Sequence, residues 1–429
     1  MKLALLGGKP VLQGKLPDTH IIGHREINAV VKVMKKGPLS GFVANWDERF
    51  FGGEEVNKLE ANVAKVLGVK ETVSFNSATT ALQAAIGALS IGPGDEVIVP
   101  PYTMSATATC VIANGAVPIF ADIDDKTFCL DAKAVKKNIT KNTKAIIAVN
   151  LFGGSANFSK LLKIAKQHKL KIIEDNAQAF GATYKGKLCG TIGDIGVFSL
   201  NVHKIIQSGE GGLLVTNNKN YAARARLYRN HGEVIVDQMK NYKLGPIMGS
   251  NFRMTEVTAV IAGEQIKKLP FLVKHRINLA NYLTKKLSGY TGLETCHAED
   301  GNKHVYYLYP IKFNGNIVGI SRDTFVDAMT AEGFPMSKGY VKPLYLIKMF
   351  QEQKVFNNTS FPFKNNYYSG SPTYNAGLCP VCERLWKKEL TYTEICQYPR
   401  TNKHIDLFVK AVEKILQNIS ELADYENNI

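Results

Sequence analysis

The chain has 429 residues, of which 45% are hydrophobic, so it is long enough to bury a large core. No apolar stretch approaches the length of a membrane span, and an odd count of seven cysteines favours reduced thiols over a disulfide framework. The net charge is +16, from 53 basic and 37 acidic residues, but the lysines are scattered and no nucleic-acid motif is present, so nucleic-acid binding is not favoured.

The first motif with candidate binding groups is residues 73–82, which read VSFNSATTAL. An apolar strand is followed there by small hydroxyl residues and an Ala-rich helix. The amino terminus of such a helix offers free backbone N–H groups, and Ser77, Thr79 and Thr80 add hydroxyls. This segment therefore predicts a seat for a phosphate or another anion.

Short apolar runs then alternate with helical patterns along the chain. The strand-like runs are residues 96–100, 117–121, 145–149 and 171–174, and a helical pattern covers residues 158–168. Such alternation predicts a mostly parallel sheet that is covered by helices.

The last of these runs ends in two carboxylates. Residues 171–180 read KIIEDNAQAF, in which Glu174 and Asp175 end the strand and Gln178 follows three residues later. Ligands of open α/β sheets bind at the carboxyl ends of the strands. Asp175 is therefore a candidate binding residue.

A single lysine follows the next predicted strand. Residues 197–212 read VFSLNVHKIIQSGEGG, in which Ser199 ends the apolar run of residues 195–200 that predicts a buried strand. Lys204 lies between this strand and a Gly-rich turn that lets backbone approach a ligand closely. Burial that depresses the pKa of a lysine makes it able to condense with a carbonyl. Lys204 is therefore a candidate Schiff-base nucleophile, and a surface lysine on a loop is the alternative.

The pattern changes after residue 251, where we expect a second, smaller unit. Long helices are predicted over residues 255–268 and 270–287, and a strand over residues 305–313. Residues 351–378 lack periodicity and predict a long loop. One apolar stripe predicts the last helix: Ile405, Phe408, Val409, Val412, Ile415 and Leu416.

The segments SATTAL, IIEDNAQAFGA, GVFSLNVHK, GEGG and GSNFRMTE occur in this order. In them the chain resembles the DegT/StrS-type sugar aminotransferases of the type I pyridoxal phosphate fold, over roughly residues 20–415. The opening LALLGGKPV and the late CPVCERL are most similar to the branch with cyclitol and amino-sugar aminotransferases.

The resemblance implies an α/β fold with a mostly parallel seven-stranded sheet, helices on both faces and a smaller carboxyl-terminal α/β domain. We expect the large, cofactor-binding domain to span residues 1–270 and the small domain residues 271–429. The implied activity moves an amino group from L-glutamate or L-glutamine to a keto group of a sugar, nucleotide sugar or cyclitol in bacterial-type amino-sugar biosynthesis.

The resemblance also assigns roles around pyridoxal 5'-phosphate. Lys204 would hold the cofactor covalently and move the proton, Asp175 would pair with the pyridine nitrogen, and Gln178 would lie near the phenolic oxygen. The phosphate would be held by residues with hydroxyls or first-turn amides: Ser77, Ala78, Thr79 and Ser199.

Further positions are implied at the edge of the site. Met104 stands where the family has an aromatic residue that stacks on the cofactor ring, and Tyr102 could substitute for it. His203 and Arg253 are candidate substrate contacts, although a packed histidine and an internal ion pair are the alternatives. Asn251 matches a position that reaches the phosphate of the neighbouring subunit, which implies a homodimer with shared active sites.

Several expectations concern partners and location. A short apolar run at the amino terminus and the absence of a membrane span predict a cytoplasmic protein without a membrane partner. Cys379 and Cys382 form a C-P-V-C pair, but no second pair completes a zinc site, so no metal is expected.

Two alternatives to an aminotransferase stay open. A sugar dehydratase of the same fold replaces the lysine, typically by histidine, and His203 directly precedes Lys204. A non-catalytic protein that binds pyridoxal phosphate or, through its positive charge, nucleic acid is the alternative of another class.

Overall fold

A seven-stranded sheet lies at the centre of the protein in the computed structural model, which describes residues 1–240, 244–296, 298–356 and 359–428. Its strands are β1 (Glu71–Phe75), β2 (Glu96–Val99), β3 (Val117–Phe120), β4 (Thr143–Val149), β5 (Lys171–Asp175), β8 (Ile195–Ser199) and β9 (Gly212–Thr216); β6 (Thr183–Tyr184) and β7 (Lys187–Leu188) form a separate hairpin. The order is β1-β9-β8-β5-β4-β2-β3. Only β9 runs against its neighbours, so the predicted mostly parallel sheet is confirmed.

Helices connect these strands and cover the sheet. They are α1 (His24–Lys36), α2 (Glu54–Leu67), α3 (Ala78–Ala88), α4 (Ala106–Ala113), α5 (Ala132–Lys137), α6 (Phe158–His168) and α7 (Lys219–Arg229). Strands β2, β4 and β8 are mostly apolar, and nearly all of their residues are buried, as is typical of a parallel sheet covered on both faces. In α3 the small residues Ala81, Ala84 and Ala85 are fully buried, which lets the helix pack closely.

A smaller sheet and the remaining helices follow. Its strands, in the order β10-β11-β13-β12, are antiparallel: β10 (Leu293–Thr295), β11 (Tyr309–Phe313), β12 (Ser337–Lys338) and β13 (Leu390–Thr393). The helices are α8 (Glu256–Leu287), α9 (Gly315–Val318), α10 (Arg322–Ala331), α11 (Lys348–Gln351), α12 (Pro380–Arg384), α13 (Asn402–Leu416) and α14 (Ile419–Asn427), with a π-helical turn at Leu385–Glu389.

Helix α8 corrects the prediction of two helices that meet at Pro270. It is one helix of 32 residues with Pro270 inside it, although proline removes a backbone donor and normally breaks a helix. Packing on both sides of the proline explains its continuity: Ile266 and Leu269 are buried in the core of the large sheet, and Leu279 and Leu283 in the core of the small one. The predicted domain boundary between residues 270 and 271 falls inside this helix, and the two-domain division stays a prediction.

The predicted strand over residues 305–313 is shorter in the structure. Only its second half forms β11, because the first half bonds to the loop after β4 instead. The N–H of Val305 donates to the carbonyl of Gly153 at 2.8 Å, and the N–H of Leu308 donates to that of Phe152 at 3.3 Å. These two hydrogen bonds place Tyr307 at the edge of the large sheet.

No helix among the described residues is long and apolar enough to cross a membrane. The predicted last helix is α13, and α14, which follows it, was not predicted.

Candidate active site

The candidate residues follow strands that end at one edge of the large sheet. Because β1, β2, β4, β5 and β8 run in the same direction, their carboxyl ends meet there. Asp175 and Ser199 are the last residues of β5 and β8, and Ser77 follows β1 by two residues. This edge is where open α/β sheets bind ligands.

The amino terminus of α3 forms the anion seat. Ser77 caps the helix, since its Oγ accepts the N–H of Thr80 at 3.2 Å. The amides of Ala78 and Thr79 begin the first turn, where backbone N–H groups lack helical partners. Thr79 is exposed and Ser199 is buried at the adjacent strand end. These donors are the groups that bind a phosphate at a helix terminus.

Gly212 brings the two halves of this seat together. It pairs with Phe75 on one side and with Ser199 on the other. A Cβ atom on Gly212 would lie 2.3 Å from the carbonyl oxygen of Ser77 and 2.5 Å from the amide nitrogen of Ala78. Only glycine lets the strand approach the helix start this closely.

Asp175 is a buried carboxylate with few partners. Its Oδ2 accepts the hydroxyl of Thr107 at 2.8 Å, and its Oδ1 accepts the N–H of Ala177 at 3.2 Å. Burial raises the pKa of Asp175, and these two hydrogen bonds and the charge of Lys204 oppose the rise. A positively charged ring nitrogen beside this carboxylate would favour its ionised form.

Lys204 lies on the loop between β8 and β9. The loop is closed at its base, since the N–H of Leu200 donates to Gly211 and the N–H of Ser208 donates to Leu200. The Nζ of Lys204 lies 4.7 Å from the centre of the Tyr307 ring. Burial lowers the pKa of Lys204, and the negative charge of Asp175 opposes this. The structure thus places a desolvated primary amine in the electrostatic range of the strand-end aspartate.

His203 and Lys204 have different surroundings although they are adjacent. His203 is exposed, whereas Lys204 is half-buried. The lysine, not the histidine, therefore faces the interior of the candidate site.

Gln178 links three elements of the site. Its Oε1 accepts the backbone N–H of Phe152 at 2.8 Å, and its Nε2 donates to the hydroxyl of Tyr340 at 2.8 Å. Phe152 follows β4 and has a left-handed backbone, with φ of 56°. Gln178 therefore joins two loops of the large sheet to the segment after β12.

Tyr102 and Met104 differ in their surroundings. Tyr102 is fully buried, its ring packs edge-on against Tyr340 at 5.8 Å, and its hydroxyl accepts the N–H of Tyr340. Met104 is 63% exposed. Of these two side chains, only that of Met104 is accessible to a ligand.

The structure places Asn251 and Arg253 beside the anion seat. The carbonyl between them, of Phe252, accepts the N–H of Asn76 at 2.9 Å. Asn251 is exposed, and its Oδ1 accepts the Nε of Arg253 at 2.7 Å. The guanidinium of Arg253 is thus partly engaged within its own chain.

Four residues of this site were missed by the sequence analysis: Thr107, Phe152, Tyr307 and Tyr340. Thr107 had a usable signal, since it is a hydroxyl residue in the first turn of the helix that follows β2. Tyr307 and Tyr340 come from distant parts of the chain and carry no local signal.

The residues present fit a pyridoxal phosphate group by their chemistry. The glycine-lined helix start offers donors for a phosphate, Asp175 offers a carboxylate for a ring nitrogen, and Lys204 offers an amine for an aldehyde. Among the described residues, no group of three or more His, Cys, Asp or Glu side chains could hold a metal ion.

Comparisons with known proteins agree with this chemistry. Residues 43–373 match the DegT/DnrJ/EryC1/StrS aminotransferase family. The GDP-perosamine synthase of Caulobacter vibrioides is 36% identical over 296 residues, which cover 69% of this chain and 78% of that protein. The L-glutamine:2-deoxy-scyllo-inosose aminotransferase of Streptoalloteichus tenebrarius is 31% identical over 98% of this chain and 99% of that protein.

A solved structure extends the similarity to the whole fold. The aminotransferase from Psychrobacter cryohalolentis superimposes with a TM-score of 0.79 at 28% identity, over 94% of this chain and 99% of that one. The chain therefore belongs to the DegT/DnrJ/EryC1/StrS aminotransferase family, and it is an enzyme with pyridoxal 5'-phosphate as its cofactor.

Proposed function

We propose that this enzyme moves an amino group from L-glutamine or L-glutamate to a keto group on a sugar, a nucleotide sugar or a cyclitol. The observation that carries the proposal is the half-buried amine of Lys204 within electrostatic range of Asp175, at the sheet edge that also holds the α3 anion seat. The donor leaves as its keto acid, whose new carbonyl oxygen comes from water, and the carbonyl oxygen of the acceptor leaves as water, so that one water is consumed and one is released.

Each residue has a defined task in this proposal. When bound, pyridoxal phosphate supplies an aldehyde that takes up the amino group and a conjugated ring that accepts an electron pair. Lys204 Nζ, which burial makes less basic, would hold the aldehyde carbon, and once the amino donor has displaced it, it would carry a proton from and to the substrate carbon. The carboxylate of Asp175 would hold a proton on the ring nitrogen, and Nε2 of Gln178 would donate to the phenolic oxygen.

The residues at the start of α3 would hold the phosphate of the cofactor in this proposal. The amides of Ala78 and Thr79 and the hydroxyls of Ser77, Thr79 and Ser199 are its donors. We assign the ring-covering position to Met104 rather than Tyr102, because the ring and hydroxyl of Tyr102 are already engaged by Tyr340. His203 and Arg253 are proposed substrate contacts at the open side.

The acceptor is proposed to be a cyclic polyol that carries one keto group. Relatives named for scyllo-inosose substrates align with 98% of this chain, and another relative is named for a nucleotide-linked sugar. The product would enter amino-sugar biosynthesis, for example of a cell-surface polysaccharide; one relative is named as a spore coat polysaccharide biosynthesis protein.

A dehydratase is not favoured by the geometry. That activity replaces the attachment lysine by histidine, but here the lysine is half-buried within electrostatic range of Asp175, while His203 is exposed.

We further propose a cytoplasmic homodimer with shared active sites. Asn251 is exposed, as a residue that reaches into a neighbouring subunit must be. Six of the seven cysteines are free thiols in buried positions, which suits a reducing compartment.

A transfer assay tests this proposal. The purified enzyme with its cofactor is incubated with L-glutamine or L-glutamate and with keto-cyclitols or nucleotide-linked keto sugars, and the aminated product is measured by mass spectrometry. We expect the wild type to form product, the neighbouring variant His203→Asn to form it at a reduced rate, and Lys204→Ala to form none. A Lys204→Ala variant with full activity would contradict the proposal.

A further inference from the structure

The amide of Gln178 has a fixed orientation. A backbone N–H can only donate, so the N–H of Phe152 identifies the atom it contacts as Oε1 and leaves Nε2 toward Tyr340. An amide nitrogen carries two N–H groups, and the hydroxyl of Tyr340 takes one of them. The other N–H has no acceptor among the residues that the structure describes.

Tyr340 is itself held from several sides. Its backbone N–H donates to the hydroxyl of Tyr102 at 2.8 Å, and its ring packs edge-on against the rings of Phe152 at 5.1 Å and Tyr392 at 6.0 Å. A hydroxyl on so constrained a ring has little freedom to leave Gln178.

The carboxyl-terminal sheet sets the place of Tyr340. The preceding residue, Gly339, donates its N–H to the carbonyl of Leu390 in β13 at 2.9 Å. A Cβ on Gly339 would lie 2.7 Å from the carbonyl oxygen of Trp386, and its φ of 75° favours glycine. Gly339 thus holds the chain against the small sheet, and Tyr340 reaches from there to Gln178.

We propose that Tyr340 is a positioning residue whose hydroxyl holds Nε2 of Gln178 so that the remaining N–H donates to the phenolic oxygen of the cofactor. The inference rests on the proposed role of Gln178. A donor at that oxygen withdraws negative charge from it and weakens its hold on the proton of the neighbouring linkage to Lys204. Without the donor, the linkage keeps its proton to a higher pH.

A spectroscopic titration tests this inference. The visible absorption of the holoenzyme is recorded against pH for the wild type and for Tyr340→Phe, which removes one hydroxyl and keeps the ring. The pH at the midpoint of the absorption change marks the loss of the proton from the linkage to Lys204. We expect this midpoint to be higher in Tyr340→Phe by roughly half a pH unit to one pH unit, because a charge-assisted hydrogen bond is partly lost.

Two controls separate positioning from a general effect. Tyr392→Phe makes the same change in a neighbouring ring, whose hydroxyl makes no hydrogen bond to a described residue, and should leave the midpoint in place. In a Gln178→Ala background, the change Tyr340→Phe should add no further shift, because the group it positions is gone.

The outcomes are distinct. An unmoved midpoint in Tyr340→Phe, or an equal shift with and without Gln178, overturns the inference while Lys204 keeps its proposed role. A wild type that lacks the absorption band after incubation with pyridoxal phosphate overturns both.

Discussion

The ammonium group of Lys204 lies over the ring of Tyr307, with 4.7 Å between Nζ and the ring centre. An aromatic face stabilises a cation by about 1 to 2 kcal/mol when the site is partly desolvated. Tyr307 thus opposes the effect of burial on the basicity of the lysine, and it does so from a segment more than a hundred residues away.

Replacing Tyr307 by leucine should therefore lower the pKa of Lys204 in the cofactor-free protein, by about one unit. The pH dependence of Lys204 acylation, followed by peptide mass spectrometry, measures this value. Tyr307→Phe keeps the ring face and serves as the control, which should titrate like the wild type. An unchanged pKa in Tyr307→Leu would show that the contact carries no energy.

Thr107→Val should weaken cofactor binding. The hydroxyl of Thr107 donates to Asp175 at 2.8 Å and lowers the pKa of that buried carboxyl, so its loss leaves Asp175 more readily protonated. A hydrogen bond to a charged group contributes about 1.5 to 3 kcal/mol, which corresponds to a loss of roughly tenfold or more in affinity.

Titration of the cofactor-free protein with pyridoxal phosphate measures this effect. The loss should grow as the pH falls, because protonation removes the charge that pairs with the ring nitrogen. Thr109→Val changes the same residue type in the same helix, away from Asp175, and should bind normally. Equal affinities for the two variants would contradict the role given to Thr107.

Gly212→Ala should disturb the anion seat directly. Its new Cβ would lie 2.3 Å from the carbonyl oxygen of Ser77, so backbone must move. We expect a loss of about 1 to 3 kcal/mol in the free energy of unfolding and weaker binding of the cofactor. Chemical denaturation measures the first effect. Gly289→Ala is the control, since nothing lies within 4 Å of its Cβ position. Equal stability and equal cofactor affinity of the two variants would refute the close approach of Gly212 to the start of α3.

The environment of Glu174 makes the free energy of unfolding depend on pH. Its carboxylate accepts the N–H groups of Gly190, Ile192 and Gly193 at 2.5 to 2.6 Å, yet burial raises its pKa from 4.5 to about 7. Between these values the folded state holds a proton that the unfolded state releases. The contribution of Glu174 to stability is therefore complete below pH 4.5 and is lost as the pH rises through about 7.

Glu174→Gln does not titrate and should lack this slope, which reaches about 1.4 kcal/mol per pH unit. Free energies of unfolding of both proteins, measured between pH 4.5 and 7.5, provide the comparison. The wild-type curve should fall relative to that of the variant as the pH rises. Parallel curves would mean that Glu174 is ionised throughout this range.

The sequence was sufficient for those parts of the site that lie next to a buried strand. Asp175 and Ser199 end apolar runs, and Lys204 follows one, so the shared direction of the strands alone brings them to one edge. Helix α6 forms over the predicted residues because one apolar stripe and flanking polar residues define it.

The remaining features depend on contacts between distant segments. Tyr307 and Tyr340 reach the site only because residues 305–308 bond to the loop after β4 and Gly339 bonds to β13. The continuity of α8 through Pro270 likewise depends on packing against two cores, which outweighs the local preference for a break.

The visible absorption spectrum before and after addition of an amino donor tests the central claim most directly. Purified wild-type enzyme loaded with pyridoxal phosphate should show the band of the lysine-linked cofactor, and L-glutamine or L-glutamate should bleach it. Lys204→Ala should show neither the band nor a comparable bleaching. A wild type without the band, or a band that neither donor changes, would contradict transfer of an amino group through Lys204.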